Sequence, residues 1–245
     1  MRQKVKPADY ATIPNYETYL YMSYKSIIGE TELVQRQFQL IGEKMAEKTQ
    51  QTRKFIDPHV HCRDWNEQGK STIAEVMNLA RSQGIVAIFD MPNTKPPILT
   101  KSDVELRLWT AESQKSESGY YTYIAATSNQ KQLRKAADVV KRNPKVVGIK
   151  MFAGISNNRD LSIIDPEEQK YVYKTLKQEK YNGVIAVHCE EESLGRPELW
   201  APANPSTWNL AKPPIMEIKG VENQIRFAKE TGFEGHLHIA HTSTP

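Results

Sequence analysis

Two histidines and an arginine alternate in FIDPHVHCRD, residues 55–64, behind a short apolar run. Successive side chains on a strand take opposite faces, so His59, His61 and Arg63 project to one side while Val60 and Cys62 project to the other. Two imidazoles meeting on one face suit a zinc-like ion. A lone HxH is more often an edge strand with exposed polar residues, so the rest of the chain has to decide. Lys150 ends GIKMF, His188 ends GVIAVH and His241 ends HLHIAH. An unpaired ammonium is costly to bury at such a place. Basic side chains at four apolar run ends are best explained by a parallel barrel, which gathers its strand ends around one mouth.

The elements that must position these residues are legible as an alternation. Short β-branched or apolar runs stand at 54–60, 84–91, 120–126, 145–152, 182–189 and 235–241, and segments with helical spacing stand at 71–83, 101–115, 130–143, 165–179 and 214–230. Strand and helix in turn, with short connections, predict βαβ units and a parallel sheet. Gly84, Gly148, Gly183 and Gly232 fall where helix ends and tight turns are expected, and Asp103 and Asp165 near helix starts. The fold class is α/β, a (β/α)8 TIM barrel that is incomplete. Such a barrel takes about 250 residues, and residues 55–245 supply roughly six of its βα units. Residues 1–54 read as an N-terminal extension, with helical spacing over 26–51.

Bulk properties exclude several classes of function. A net charge of +4 arises from 33 Lys and Arg against 29 Asp and Glu, and the basic residues are scattered, so a nucleic-acid partner is not implied. No window approaches about 18 consecutive apolar residues, and no secretion signal opens the chain, so no membrane partner and a cytoplasmic location are expected. Cys62 and Cys189 are expected to remain thiols and to act as small buried hydrophobes.

The motifs DPHVHCRD (57–64), FDMPNTKPP (89–97), GIKMFAG (148–154), VHCEEES (187–193) and HIAHTSTP (238–245) resemble, in order, those of dihydroorotase in the cyclic amidohydrolase group of metallo-dependent hydrolases. HxHxRD and MPNTxPP are the specific signals among them. The resemblance implies a barrel enzyme with two zinc ions, one held by His59 and His61 and the other by His188 and His241, bridged by a carboxylated Lys150. It implies that Arg63 and Asn93 hold the carboxylate of a small-molecule substrate, where a guanidinium fork and an amide donor are well matched to the task. Read without the family, Asn93 serves equally well as a turn residue in PNTKPP. The implied reaction is the reversible cyclisation of N-carbamoyl-L-aspartate to dihydroorotate in de novo pyrimidine biosynthesis.

Two departures from the pattern shape the expectation. The family places a proton-shuttling aspartate after the last barrel strand in a DHAPH-like segment, and this residue is expected beyond Pro245, so no catalytic residue is assigned within the chain. The missing units suggest a fragment, completion by a second polypeptide, or a gap partly plugged by residues 1–54. A homo-oligomer or association with aspartate transcarbamoylase is the partner expectation. Alternatives are an allantoinase or hydantoinase type of cyclic ureide hydrolase and a catalytically silent scaffold.

Other polar residues take duller readings. His236 and His238 are expected on the strand face opposite His241, in packing or hydrogen bonding. Asp90 is expected to bind amides of the loop that follows it, and Asp64 to orient Arg63 or its loop. Glu190, Glu191 and Glu192 read as a solvated loop from which one carboxylate could reach the mouth.

Overall fold

The computed structural model describes residues 54–244. The extension and its helix expected within residues 1–54 lie outside the described residues, Lys54 apart. In chain order the elements are β1 (Phe55–Val60), α1 (Ile73–Ser82), β2 (Ile85–Asp90), α2 (Lys101–Ser113), β3 (Gly119–Ala125), α3 (Gln130–Arg142), β4 (Val146–Ala153), β5 (Ser162–Ile163), α4 (Pro166–Gln178), β6 (Val184–Cys189), α5 (Trp208–Ala211), α6 (Pro214–Thr231) and β7 (His236–Ile239). The strands run in the order β1-β2-β3-β4-β6-β7, every neighbouring pair parallel, and β5 adds a two-residue pairing to β4. The six predicted strands are present, and β5 is a seventh that its two residues were too few to announce.

The helices start where side chains can satisfy their free amides. Thr72 with Glu75 and Thr100 with Asp103 form capping boxes at α1 and α2, and Asp165 caps α4 ahead of Pro166. Gly84 and Gly232, with φ of 75° and 65°, end α1 and α6 in the left-handed region. Gly148 is a correction: it lies inside β4 and not in a turn, because a Cβ there would stand 2.6 Å from the Val184 carbonyl oxygen on β6.

The outward faces of β4 and β6, through Ile149, Met151, Ile185 and Val187, pack on Leu133 of α3, Val172 and Leu176 of α4 and Phe227 of α6. A second cluster seats Val60 and Cys62 on Ile73, Val76 and Met77 of α1. Each such buried aliphatic side chain contributes roughly 1.5–3 kcal/mol relative to exposure. Met91, Tyr123 and Ala186 meet on the inner face.

The sheet curls. Five steps of about 4.8 Å across a flat sheet would leave β1 and β7 roughly 24 Å apart, yet the rings of His59 on β1 and His241 just past β7 lie 5.0 Å apart between centroids. The architecture is thus a curled, incomplete TIM barrel with helices outside. No helix among the described residues is long and apolar enough to cross a membrane.

Candidate metal centre

The four predicted imidazoles form a continuous chain of ring contacts. His61 and His59 lie 5.3 Å apart between centroids, His59 and His241 5.0 Å, and His241 and His188 5.1 Å. Lys150 stands on β4 between Ala125 of β3 and Ala186 of β6, and is 0% exposed. Its Nζ has no hydrogen-bond partner, and neither has Nδ1 of His61, although both are buried. Orphaned donors and acceptors of this kind at one mouth are what a bound group would satisfy.

Burial and neighbouring charge push His59, His61, His241 and Lys150 toward their neutral forms. Burial, followed by the charges of Lys150, His61 and His241, pushes His59 down to about 2. Burial, then Arg63 and Lys150, pushes His61 down to about 3, with Asn93 pulling the other way. Burial and then Lys150 and His188 bring His241 to about 4. Lys150 itself is lowered by burial to about 7. Neutral imidazoles carry a free lone pair, and a neutral amine can react with carbon dioxide.

As placed, no three His, Cys, Asp or Glu side chains among the described residues already surround a single point at ligating distance. The set nevertheless suits a zinc-like ion in its chemistry, since imidazole nitrogens are among the donors that zinc prefers. His59 with His61 and His188 with His241 could each hold one ion, with Lys150 beside both.

Arg63 and Asn93 are brought together, through the backbone of Asn93. Nη1 of Arg63 donates to the Asn93 carbonyl oxygen at 2.9 Å, and Glu67 stands 3.9 Å from the same nitrogen. The Asn93 amide nitrogen donates to Oδ1 of Asn157 at 2.6 Å. Asn157, on the loop after β4, carries no spacing signal and was not foreseen.

Several duller readings change. His241 has φ of 40°, so its backbone leaves the extended region just past Ile239 and strand parity no longer predicts its direction. His236 and His238 are exposed, while Leu237 and Ile239 on the other strand face pack against the core; burial and then Lys150 lower His238. Asp90 accepts the Cys62 amide at 2.8 Å, from the loop after β1 and not from its own. Asp64 orients its loop by accepting the Ile73 amide at 2.7 Å and pairing with Arg107, but makes no hydrogen bond to Arg63. Glu190 does reach the mouth, with its Oε2 3.2 Å from Nε2 of His188 and paired with Lys212. Burial pushes this carboxyl up, but His188 and Lys212 outweigh it and hold it at about 2. Cys62 and Cys189 are buried free thiols, as read from strand parity.

No family model matches the chain. Over 192 residues it is 32% identical to the dihydroorotase of Pyrococcus horikoshii, a match covering 78% of this chain and 37% of that one. Over that span the chain is similar to dihydroorotases. A second dihydroorotase, from Thermococcus kodakarensis, is 29% identical over 190 residues, with 78% and 39% of the two chains covered. An allantoinase of Desulfitobacterium hafniense is 30% identical over 197 residues, covering 78% and 42%. The chain therefore spans well under half the length of the dihydroorotases it matches. Among solved structures, L-hydantoinase from Arthrobacter aurescens superposes with a TM-score of 0.60 at 18% identity, over 75% of this chain and 40% of that one. Dihydroorotase from Saccharomyces cerevisiae gives 0.53 at 18% identity, over 76% and 46%. Both likenesses establish the barrel fold.

Proposed function

We propose that this chain carries the metal centre of a cytoplasmic cyclic amidohydrolase, one that interconverts N-carbamoyl-L-aspartate and dihydroorotate for pyrimidine synthesis. The observation that carries the reading is the ring chain His61–His59–His241–His188, with centroid spacings of 5.0–5.3 Å, beside a fully buried, unpartnered Lys150. Five such groups from four separate strands have no packing reason to converge.

In this reading His59 and His61 would hold one zinc ion and His188 and His241 a second, with Lys150, as a carbamate, supplying an anionic oxygen ligand beside them. Carbamate formation joins the lysine nitrogen to the carbon of carbon dioxide and releases one proton, and the resulting anion is better placed beside cations than the amine was beside apolar neighbours. When bound, a zinc pair supplies Lewis acidity toward the amide carbonyl and a water-derived nucleophile at neutral pH. Arg63 presents its planar fork to the substrate carboxylate, and Asn93, steadied by Asn157, stands beside it. Asn157 and Asn158, which donates to the Thr94 carbonyl oxygen at 2.9 Å, tie the β4 loop to the MPNT loop and shape that side of the mouth. The proton-shuttling aspartate is assigned to no residue of the chain.

The 30% identity to an allantoinase supports a second substrate reading within the same chemistry. Parallel assays on dihydroorotate, allantoin and hydantoin, with metal content measured on the same sample, separate the cases. Turnover of dihydroorotate above the others supports the proposal, and preference for allantoin supports the second reading. A chain that holds two zinc ions and turns over none of the three is the silent scaffold. A second copy or an aspartate transcarbamoylase is the proposed protein partner, to be sought as a shift in sedimentation when the two are mixed.

A further inference from the structure

Between the proposed ligand His61 and the proposed carboxylate-binding Arg63 stands Cys62, whose amide donates to Oδ1 of Asp90 at 2.8 Å. Pinning that one amide sets the direction of both neighbours. Asp90 is 0% exposed, and its Oδ2 accepts from Nε and Nη2 of Arg107 at 3.0 and 2.7 Å. Arg107, in the middle of α2, is also 0% exposed. Its Nη1 reaches Oδ2 of Asp64 at 3.2 Å, and its guanidinium carbon lies 4.9 Å from the centroid of the Trp65 ring. Asp64 and Trp65 follow Arg63 directly and have φ of 47° and 44°, a region that residues with a side chain enter only when their surroundings compel it.

Fold stability alone does not call for this arrangement, since well-packed apolar residues stabilise a core as well as a buried ion pair does. What an apolar core would lack is direction. A guanidinium offers donors in a rigid fork, and here one fork ties the β2 carboxylate that holds Cys62 to the two left-handed residues beyond Arg63. We propose that Asp90 and Arg107 are positioning residues that lock the backbone of residues 61–65, so that His61 and Arg63 face the barrel mouth together. The inference deepens the functional reading and rests on the roles it gives to His61 and Arg63.

The test uses the full-length chain in two variants. Arg107→Lys keeps the charge and loses the fork. The paired variant Asp90→Asn with Arg107→Met removes the fully buried ion pair together and leaves Asp64 its hydrogen bond from the Ile73 amide, a second route if the single change fails to fold. Amide hydrogen exchange at Cys62 and Asp64 is expected to accelerate by about 100-fold, with Ile88 and Ile124 in β2 and β3 unchanged. KM for dihydroorotate is expected to rise by about 10-fold or more in the folded variants. A lower melting temperature with unaltered Cys62 exchange, or with unaltered KM, would overturn the proposal. Should the unmodified chain turn over no cyclic ureide, the functional reading fails, and exchange at Cys62 and Asp64 still decides whether the pair holds the loop.

Discussion

The rings of His59 and His241 lie 5.0 Å apart although their strands stand at opposite ends of the sheet order. This contact is possible only because the sheet curls, and it joins the two proposed halves of the metal centre. His61 touches His59 on one side, and His188 touches His241 on the other.

Removing any one of the four imidazoles therefore acts on a shared cluster. The unmodified chain is expected to bind about two zinc ions, and His241→Ala or His59→Ala to lose at least one of them, as measured by elemental analysis after gel filtration. Lys150→Ala is expected to hold at most one. A stoichiometry of two in the lysine variant would remove the bridging role.

Without metal, Lys150 is a burden on the fold. Its Nζ is buried with no partner, and an unsatisfied buried donor costs about 1–3 kcal/mol. Lys150→Met is expected to raise stability of the chelated protein by that order in urea denaturation. The pH dependence follows from the lowered pKa of about 7 against 10.5 for the free group. Between these values the unfolded chain binds the extra proton, so the stability of the unmodified metal-free chain rises with pH across that window and is lowest below it. Lys150→Met loses this rise; parallel pH profiles would contradict it.

Glu217 of α6 holds the turn that follows His241. Its carboxylate accepts the Ser243 amide at 2.9 Å and the Thr244 amide at 2.7 Å. Glu217→Ala frees a residue that sits at φ 40°, and zinc affinity is expected to fall by roughly 10–100-fold, the usual effect of losing an outer support. Isothermal titration of the two proteins side by side reads this directly, and equal affinities would refute it.

Gly148 lets β4 and β6 approach beside Lys150. An added Cβ at 2.6 Å from the Val184 oxygen must push the strands apart, so Gly148→Ala is expected to cost about 1–3 kcal/mol. Chemical denaturation measures it, and a change under about 0.5 kcal/mol would mean that the strands yield without strain.

Read as a string, the chain already discloses six of its seven strands, its five longer helices and the five polar groups at the strand ends. The reason is that periods of two and of 3.6, apolar runs and capping residues are local properties. Arg107 shows where local reading stops. Its helix carries Leu106 and Trp109 exposed, so no face of α2 stands out as apolar, and nothing in KSDVELRLWT marks its arginine for the interior. Only the approach of α2 to Asp90 and Asp64 turns that position into a buried fork.

Asn157 and Glu217 are similar cases, because a loop and a helix distant in the chain act on Asn93 and on the turn after His241 only once the barrel has curled. His241 was placed by residue type, yet its direction depended on one backbone angle that strand alternation does not specify. Residue types and their order thus named the class of fold and the residues proposed as ligands. Long-range packing chose which carboxylates and amides would hold those residues in place, since such contacts depend on distances that no local period encodes.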